Sequence, residues 1–288
     1  MKPRYLIITP VRDEERHIES TLESVCNQTI LPSEWVIVND GSTDRTGQIV
    51  DRYATRFPWI HAVHRANRGF RKSGGGVVEA FYEGYKARQF NEWGYIVKLD
   101  GDLSFDPDYF ENCFGHFQRD LRLGIGGGEI YHQMSGQLKL EANPKFHVRG
   151  ATKIYRRACW EAIDGLWPAA GWDTIDEVKA NMLGWKTYSF PELRLLHHRF
   201  TGTEEGLVRD RMKHGVACYV SGYHPLYVAA SCVYRLRQRP YLIGSAAILY
   251  GFLKAHFTRP PRLEDRSYLS YIRSQQLRRL CGMESIWR

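Results

Sequence analysis

Four short apolar runs, 5–9, 35–38, 60–63 and 95–99, each end in a polar segment. Between them lie stretches whose apolar residues recur at helical spacing. Ile18, Leu22 and Val25 recur at i, i+4 and i+7; Ile49, Val50, Tyr53 and Phe57 share one face, as do Val77, Val78, Phe81 and Tyr85. Strand-helix alternation with short connections constrains the chain to an α/β fold, with a mostly parallel central sheet flanked by helices. In such sheets ligands gather at the carboxyl ends of the strands.

Those ends carry the chemistry. Run one delivers Thr9-Pro10-Val11-Arg12-Asp13-Glu14-Glu15, run two Asn39-Asp40-Gly41-Ser42-Thr43-Asp44, and run three His64-Arg65-Ala66-Asn67-Arg68-Gly69. Run four delivers Asp100-Gly101-Asp102. Strand side chains alternate faces, so Asp100 and Asp102 share a side, and Gly101 lets the backbone approach a ligand. Two hard oxygen ligands suit a divalent cation and the diphosphate it carries; the competing reading is a solvated polar strand end. Helix capping competes at the other ends: Ser42 or Thr43 at the second helix, Glu14-Glu15 at the first.

The second half differs. Segments 123–133 and 136–140 read as strands flanking a turn, though Gly126-Gly127-Gly128 weakens the first; 150–157 reads as a strand entering a helix. A loop rich in Gly, Trp and Pro follows, then a helix in which Ile175, Val178 and Met182 form the buried stripe. Asp173, Asp176 and Glu177 fall on another face in its first turn, and Gly184 stops it. The helix dipole accounts for carboxylates there, and so does a general base, which leaves Asp173 and Asp176 both open.

The net charge of +8 favours an anionic partner. Six scattered cysteines without metal-ligand spacing read as reduced thiols, and the immediate first strand reads as the absence of a signal peptide, so the expected location is cytoplasmic. The uncharged run 241–253 is too short to span a bilayer but is flanked by arginines, which fits either a core helix or peripheral contact with an anionic inner membrane face. No nucleic-acid module is present.

In order and spacing, Ile8-Thr9-Pro10-Val11-Arg12-Asp13-Glu14-Glu15, Val38-Asn39-Asp40-Gly41-Ser42-Thr43-Asp44, Asp100-Gly101-Asp102, the 150–157 entry and the Trp172-Asp173 helix with Gly184-Trp185 resemble the family 2 glycosyltransferases. Their nucleotide-sugar-binding fold is called GT-A, and the match covers roughly 4–200. The resemblance implies an inverting, non-processive enzyme that moves a sugar from a nucleotide-diphosphate donor to a hydroxyl of a glycan or lipid-linked acceptor. It implies that Thr9, Pro10, Glu14 and Asp40 line the nucleotide pocket, with Asp40 on the base. Asp100 and Asp102 hold the diphosphate and Mn2+ or Mg2+, with His198 or His197 completing the metal shell. Asp173 takes the place of the catalytic base, although Trp172 stands where the family carries a glutamate, so Asp176 remains the alternative. Arg68, Arg71 and Lys72 sit where they could close over the diphosphate.

The expected organisation is a catalytic domain over 1–203, nucleotide-binding to about 102 and acceptor-binding beyond it, followed by a helical region over 204–288. A dehydrogenase is disfavoured because no Gly-x-Gly-x-x-Gly follows the first strand. The other reading is a nucleotide-sugar or carbohydrate-binding membrane-surface protein without turnover; the carboxylates at 100, 102 and 173 count against it.

Overall fold

The computed structural model describes residues 2–70, 75–134, 136–141, 143–199, 206–237 and 241–287. Arg71, Lys72 and the expected boundary at 203 lie outside them. The chain alternates as expected: β1 (Tyr5–Val11), α1 (Ile18–Cys26), β2 (Glu34–Asn39), α2 (Thr46–Arg56), β3 (Ile60–His64), α3 (Gly75–Ala87) and β4 (Tyr95–Leu99). Then come β5 (Leu103–Phe105), α4 (Tyr109–Arg119), the hairpin β6 (Leu123–Met134) and β7 (Gln137–Leu140), β8 (Thr152–Arg156), α5 (Arg157–Ile163), α6 (Trp172–Met182) and β9 (Lys186–His197). Four helices close the chain: α7 (Leu207–Val220), α8 (Pro225–Arg235), α9 (Tyr241–Thr258) and α10 (Arg266–Leu280).

The strands form one sheet in the order β3-β2-β1-β4-β8-β6-β9-β5, with β7 on β6. It is parallel through β3, β2, β1 and β4, as the alternation predicts, and mixed beyond. There β8 runs antiparallel between β4 and β6, while β9 runs parallel to β6. β1 and β2 are buried almost throughout, which is why they read as continuous apolar runs rather than alternating ones. One core packs Ile18, Leu22 and Val25 of α1 and the aromatic face of α4 on one side of the sheet; the other side takes Val78 and Phe81 of α3.

The triple glycine does not break β6; close packing requires it. A Cβ on Gly127 would stand 2.8 Å from the Thr152 carbonyl oxygen, and one on Gly128 would stand 2.4 Å from that of Leu193. Neither backbone neighbour can swing aside. Gly128→Ala should therefore cost about 1–3 kcal/mol, or several degrees in Tm. Gly115→Ala, in α4 with only a flexible arginine tip within 4 Å, should be neutral or stabilising. Thermal unfolding of both variants checks the contrast.

The C-terminal helices are tied to the sheet. Tyr268 and Ile272 of α10 pack with Ile175 and Val178 of α6 and with Trp287 and Phe146. α7 and α9 cross where Gly215 and Gly251 leave no room for a side chain: a Cβ on either would lie within 2.1 Å of a carbonyl oxygen of the other helix.

Candidate active site

The first two strand ends are laced together by side chain-to-backbone bonds. The Asp13 amide donates to Ser42 Oγ (3.0 Å), while Asp13 Oδ1 accepts from the Thr43 amide (2.8 Å). The Glu14 amide donates to Thr46 Oγ1 (2.8 Å) and the Glu15 amide to Asp44 Oδ2 (3.0 Å). Asp44, rather than Ser42 or Thr43, caps the approach to α2, accepting from the Thr46 amide at 2.9 Å. α1 begins only at Ile18, so Glu14 and Glu15 precede its first turn. Asp13 holds a left-handed backbone (φ 53°), which an aspartate tolerates better than a bulkier residue would.

Asp40 is buried, and both its oxygens are engaged: Arg65 Nη1 donates to Oδ1 at 2.6 Å and Arg68 Nη2 to Oδ2. Arg12 bridges to the same loop, donating to Asn67 Oδ1 (3.0 Å) and the Phe70 carbonyl (3.1 Å). Pro10 is half-buried at the end of β1. Thr9 departs from its expected position: it is fully buried, and its hydroxyl accepts from the Trp35 indole at 2.8 Å. Its side chain belongs to the core, because odd-numbered β1 residues face α1.

The second group gathers where β4 ends. Asp100 is half-exposed and paired with Lys98, whose ammonium also donates to the Gly150 carbonyl at 2.6 Å. Asp102 is buried, and its Oδ2 accepts from His197 Nε2 (3.0 Å) at the end of β9. Burial alone would raise the Asp102 pKa, but the bond and charge of His197, with Arg199 and Lys98, take it below the usual carboxylate range. His197 moves oppositely: burial lowers it, and Asp102 more than restores it. Arg199 pairs with Glu14. Burial, then Asp102, push Glu14 up to about 8 against that arginine, and its Oε2 has no hydrogen-bond partner among the described residues. His198 turns elsewhere, bonding Ser104 Oγ at 3.0 Å and stacking on His17.

Asp173 opens α6. It is half-exposed, and it packs over Gly150: a Cβ there would stand 3.3 Å from the Asp173 Cβ. Burial raises its pKa, but His147, Lys153 and Arg149 outweigh that and hold it below the usual range. Asp176, one turn on, is fully buried. Lys153 Nζ donates to both its oxygens (2.9 and 3.0 Å) and Tyr155 Oη to Oδ2 (2.5 Å). Glu177 is also enclosed, bonded to Lys153, His147 and the Val148 amide. The three carboxylates of this turn therefore divide. One is half-exposed and two anchor the helix to β8.

Carboxylate oxygens with one imidazole suit a hard divalent cation, and the bonded pair Asp102 and His197, with half-exposed Asp100 two residues away, offers ligands of that kind. These residue types fit a hard divalent cation, while Glu14, pushed up to about 8, keeps its proton at neutral pH and adds no anionic ligand. On the far side of His197, donor atoms of His132, Glu141 and His197 lie within 4.8 Å of one another. Glu141 also pairs with Arg149 at 2.7 Å, linking the β6–β7 hairpin to the surroundings of Asp173.

A family model described as Glycosyl transferase family 2 matches residues 6–165. The chain is a family 2 glycosyltransferase. This glycosyltransferase is 33% identical over 148 residues to the Bacillus subtilis (strain 168) protein named "Uncharacterized glycosyltransferase EpsJ", a match covering 50% of this chain and 40% of that one. It is 30% identical over 121 residues to the chondroitin synthase of Pasteurella multocida (strain Pm70), covering 42% of this chain and 12% of the synthase. The chain thus spans less than half the length of these relatives. Among solved structures, S. aureus TarS 1-349 superposes with a TM-score of 0.54 at 18% identity, covering 88% of this chain and 72% of that one. The mannosyltransferase PcManGT from Pyrobaculum calidifontis, in complex with GDP-Man and Mn2+, gives 0.55 at 17% identity, covering 99% and 77%. These likenesses establish the GT-A fold of this glycosyltransferase.

Several residues of the site escape pattern reading. Lys98 and Lys153 lie in apolar strand runs, where a buried lysine signals a carboxylate partner, but sequence does not say which one. His132, Glu141 and Arg149 are isolated polar residues until the hairpin brings them to His197.

Proposed function

We propose that this glycosyltransferase moves a sugar from a nucleotide-diphosphate donor to an acceptor hydroxyl with inversion, in the synthesis of a polysaccharide, glycolipid or cell-envelope glycan. The observation that carries the reading is the meeting at Gly150. Lys98, the partner of Asp100, grips its carbonyl, and Asp173 lies over its Cα. One backbone unit thus separates the carboxylates suited to the leaving diphosphate from the carboxylate suited to the attacking hydroxyl.

In this mechanism Asp173 accepts the proton of the acceptor hydroxyl as that oxygen attacks the anomeric carbon opposite the leaving group. A single displacement inverts the centre. Asp173 rather than Asp176 takes the role, because both Asp176 oxygens are already bonded within the core. A divalent cation bound by Asp102, His197 and Asp100 would neutralise charge developing on the diphosphate. Here His197, the residue bonded to Asp102, replaces His198 in the proposed metal set. Asp40, held by Arg65 and Arg68, receives the base, and Arg68 stands beside it with a charge for the diphosphate; Arg71 and Lys72 are outside the described residues. The names of neighbouring proteins, with UDP-GlcNAc in one complex and GDP-Man in another, support a nucleotide-sugar donor without choosing between them.

Incubation with Mn2+ and a panel of uridine, guanosine and thymidine diphospho-sugars, followed by NMR of the product anomer, tests the reading. Release of nucleotide diphosphate with an inverted linkage is expected; a retained linkage would remove the single displacement. Asp40→Ala should weaken nucleotide binding by about 10- to 100-fold, the worth of a charged hydrogen bond. Calorimetric titration with the preferred nucleotide diphosphate measures it.

A further inference from the structure

Helix α9 is apolar on both faces. Its inner face, with Gly244, Ala247, Ile248, Gly251, Phe252 and Ala255, is buried against α7 and α8. Its outer face carries Leu242, Leu249, Tyr250, Leu253 and Phe257, exposed by 67, 40, 55, 49 and 86%. At 100° per residue these five fall in a stripe about 100° wide and roughly 22 Å long. The end of α8 joins α9 through the Ser245 Oγ bond to the Cys232 carbonyl (2.8 Å), and beside that joint Val233 and Tyr234 are 67 and 77% exposed. Isolated exposed hydrophobics are ordinary, but a contiguous helix-long stripe is not. A helix apolar all round is normally buried all round, and the described residues leave this stripe uncovered.

Charge identifies what covers it. Residues 204–288 hold fourteen lysines and arginines against six acids, so they carry the whole net charge of +8; the first 203 residues hold 26 of each sign. Arg237 and Arg259 are exposed just beyond either end of α9, and Lys254 is exposed beside the stripe. A second copy docking by this face would bring two basic surfaces together. An anionic bilayer complements both the stripe and its rim. Tyr234 and Tyr250, with apolar rings and polar tips, suit the headgroup boundary. Among the described residues no helix is long and apolar enough to cross a membrane, so the contact is interfacial.

We infer that the outer face of α9, with the end of α8, docks this enzyme on an anionic lipid surface. The inference stands apart from the transfer reaction and goes beyond it. Flotation of the full chain with phosphatidylglycerol–phosphatidylcholine vesicles should recover it with the lipid at low salt, far less at about 1 M salt, where the Debye length is about 3 Å, and little on pure phosphatidylcholine. The variant L249S/L253S/F257S, which leaves the inner face untouched, should lose at least about tenfold in partition. R237Q/K254Q/R259Q should lose on the order of 100-fold, at about fivefold per charge. Nucleotide-diphosphate binding in solution should be unchanged in both, so failure here is distinguishable from failure of the proposed reaction. No flotation of the folded wild type, flotation indifferent to the apolar variant, or a stable dimer that this variant dissociates and that ignores vesicles would each overturn the inference.

Discussion

Asp173→Asn should reduce turnover by about two to four orders of magnitude while nucleotide affinity stays within about twofold of wild type, the pattern of a lost general base. Its carboxylate is half-exposed and, among the described residues, has no buried side-chain partner that the amide would strand. Asp176→Asn should behave differently. It weakens a buried pair with Lys153, which still keeps Glu177 at 2.8 Å. The loss should be about 3 kcal/mol or less of stability, seen as a lower Tm and a lower yield, with turnover per folded molecule within about tenfold of wild type. The pH profile separates the two carboxylates independently. Asp173 lies below the usual range, so it stays ionised through neutrality and loses its function only as pH falls through that depressed value. Burial, opposed by Lys153, raises Asp176 to about 6. A base there would be protonated below that pH and would give kcat an acid limb near 6. Single-turnover rates between pH 5 and 8 should show no limb from the base; one near 6 that vanishes in Asp176→Asn would move the assignment one helical turn.

The second large effect is expected at Asp102. Asp102→Asn should lower transfer by about 10³-fold or more, the worth of several kcal/mol of charge stabilisation on the leaving diphosphate. It should also weaken Mn2+-dependent binding of the nucleotide diphosphate, leaving the monophosphate little changed. Chelation of the wild-type enzyme should reproduce both losses, and added Mn2+ or Mg2+ should reverse them. Turnover indifferent both to the substitution and to chelator would dispose of metal assistance. His197→Ala and His198→Ala give a companion comparison: the bond to Asp102 predicts the larger loss for His197.

The parts of this site readable in advance are those where one residue's chemistry and one strand's periodicity suffice. The placement of Asp40, Asp100 and Asp102 at one edge is legible because a parallel sheet delivers the ends of its strands there. The same pattern cannot show that Thr9 faces inward, because a strand buried on both sides gives no alternation by which to assign a face. β5 and β9 escaped for related reasons. The first has three residues, and the second carries lysine, proline and arginine on an edge half open to solvent. Nor does helical spacing separate Asp173 from Asp176. Both sit in one turn, and what divides them is Lys153, reached across twenty residues of chain. The choice between His197 and His198 depends on which neighbour of a strand end points back toward β4, a fact of register between β5 and β9.

Lys98 and Lys153 are directly opposite each other in the β4–β8 ladder, so their side chains leave the same face of the sheet. Each ammonium lies 5.5 Å from the ring centre of Trp172. One lysine leads to Asp100, the other to the first turn of α6. The spacing between Asp100 and the first turn of α6 is therefore gauged by a facing pair of β4 and β8 residues, with Gly150 just before β8 and an indole packed over both ammonium groups. A gauge cut in the sheet keeps its setting until the sheet itself melts. On heating, inactivation should accordingly coincide with global unfolding and should not precede it.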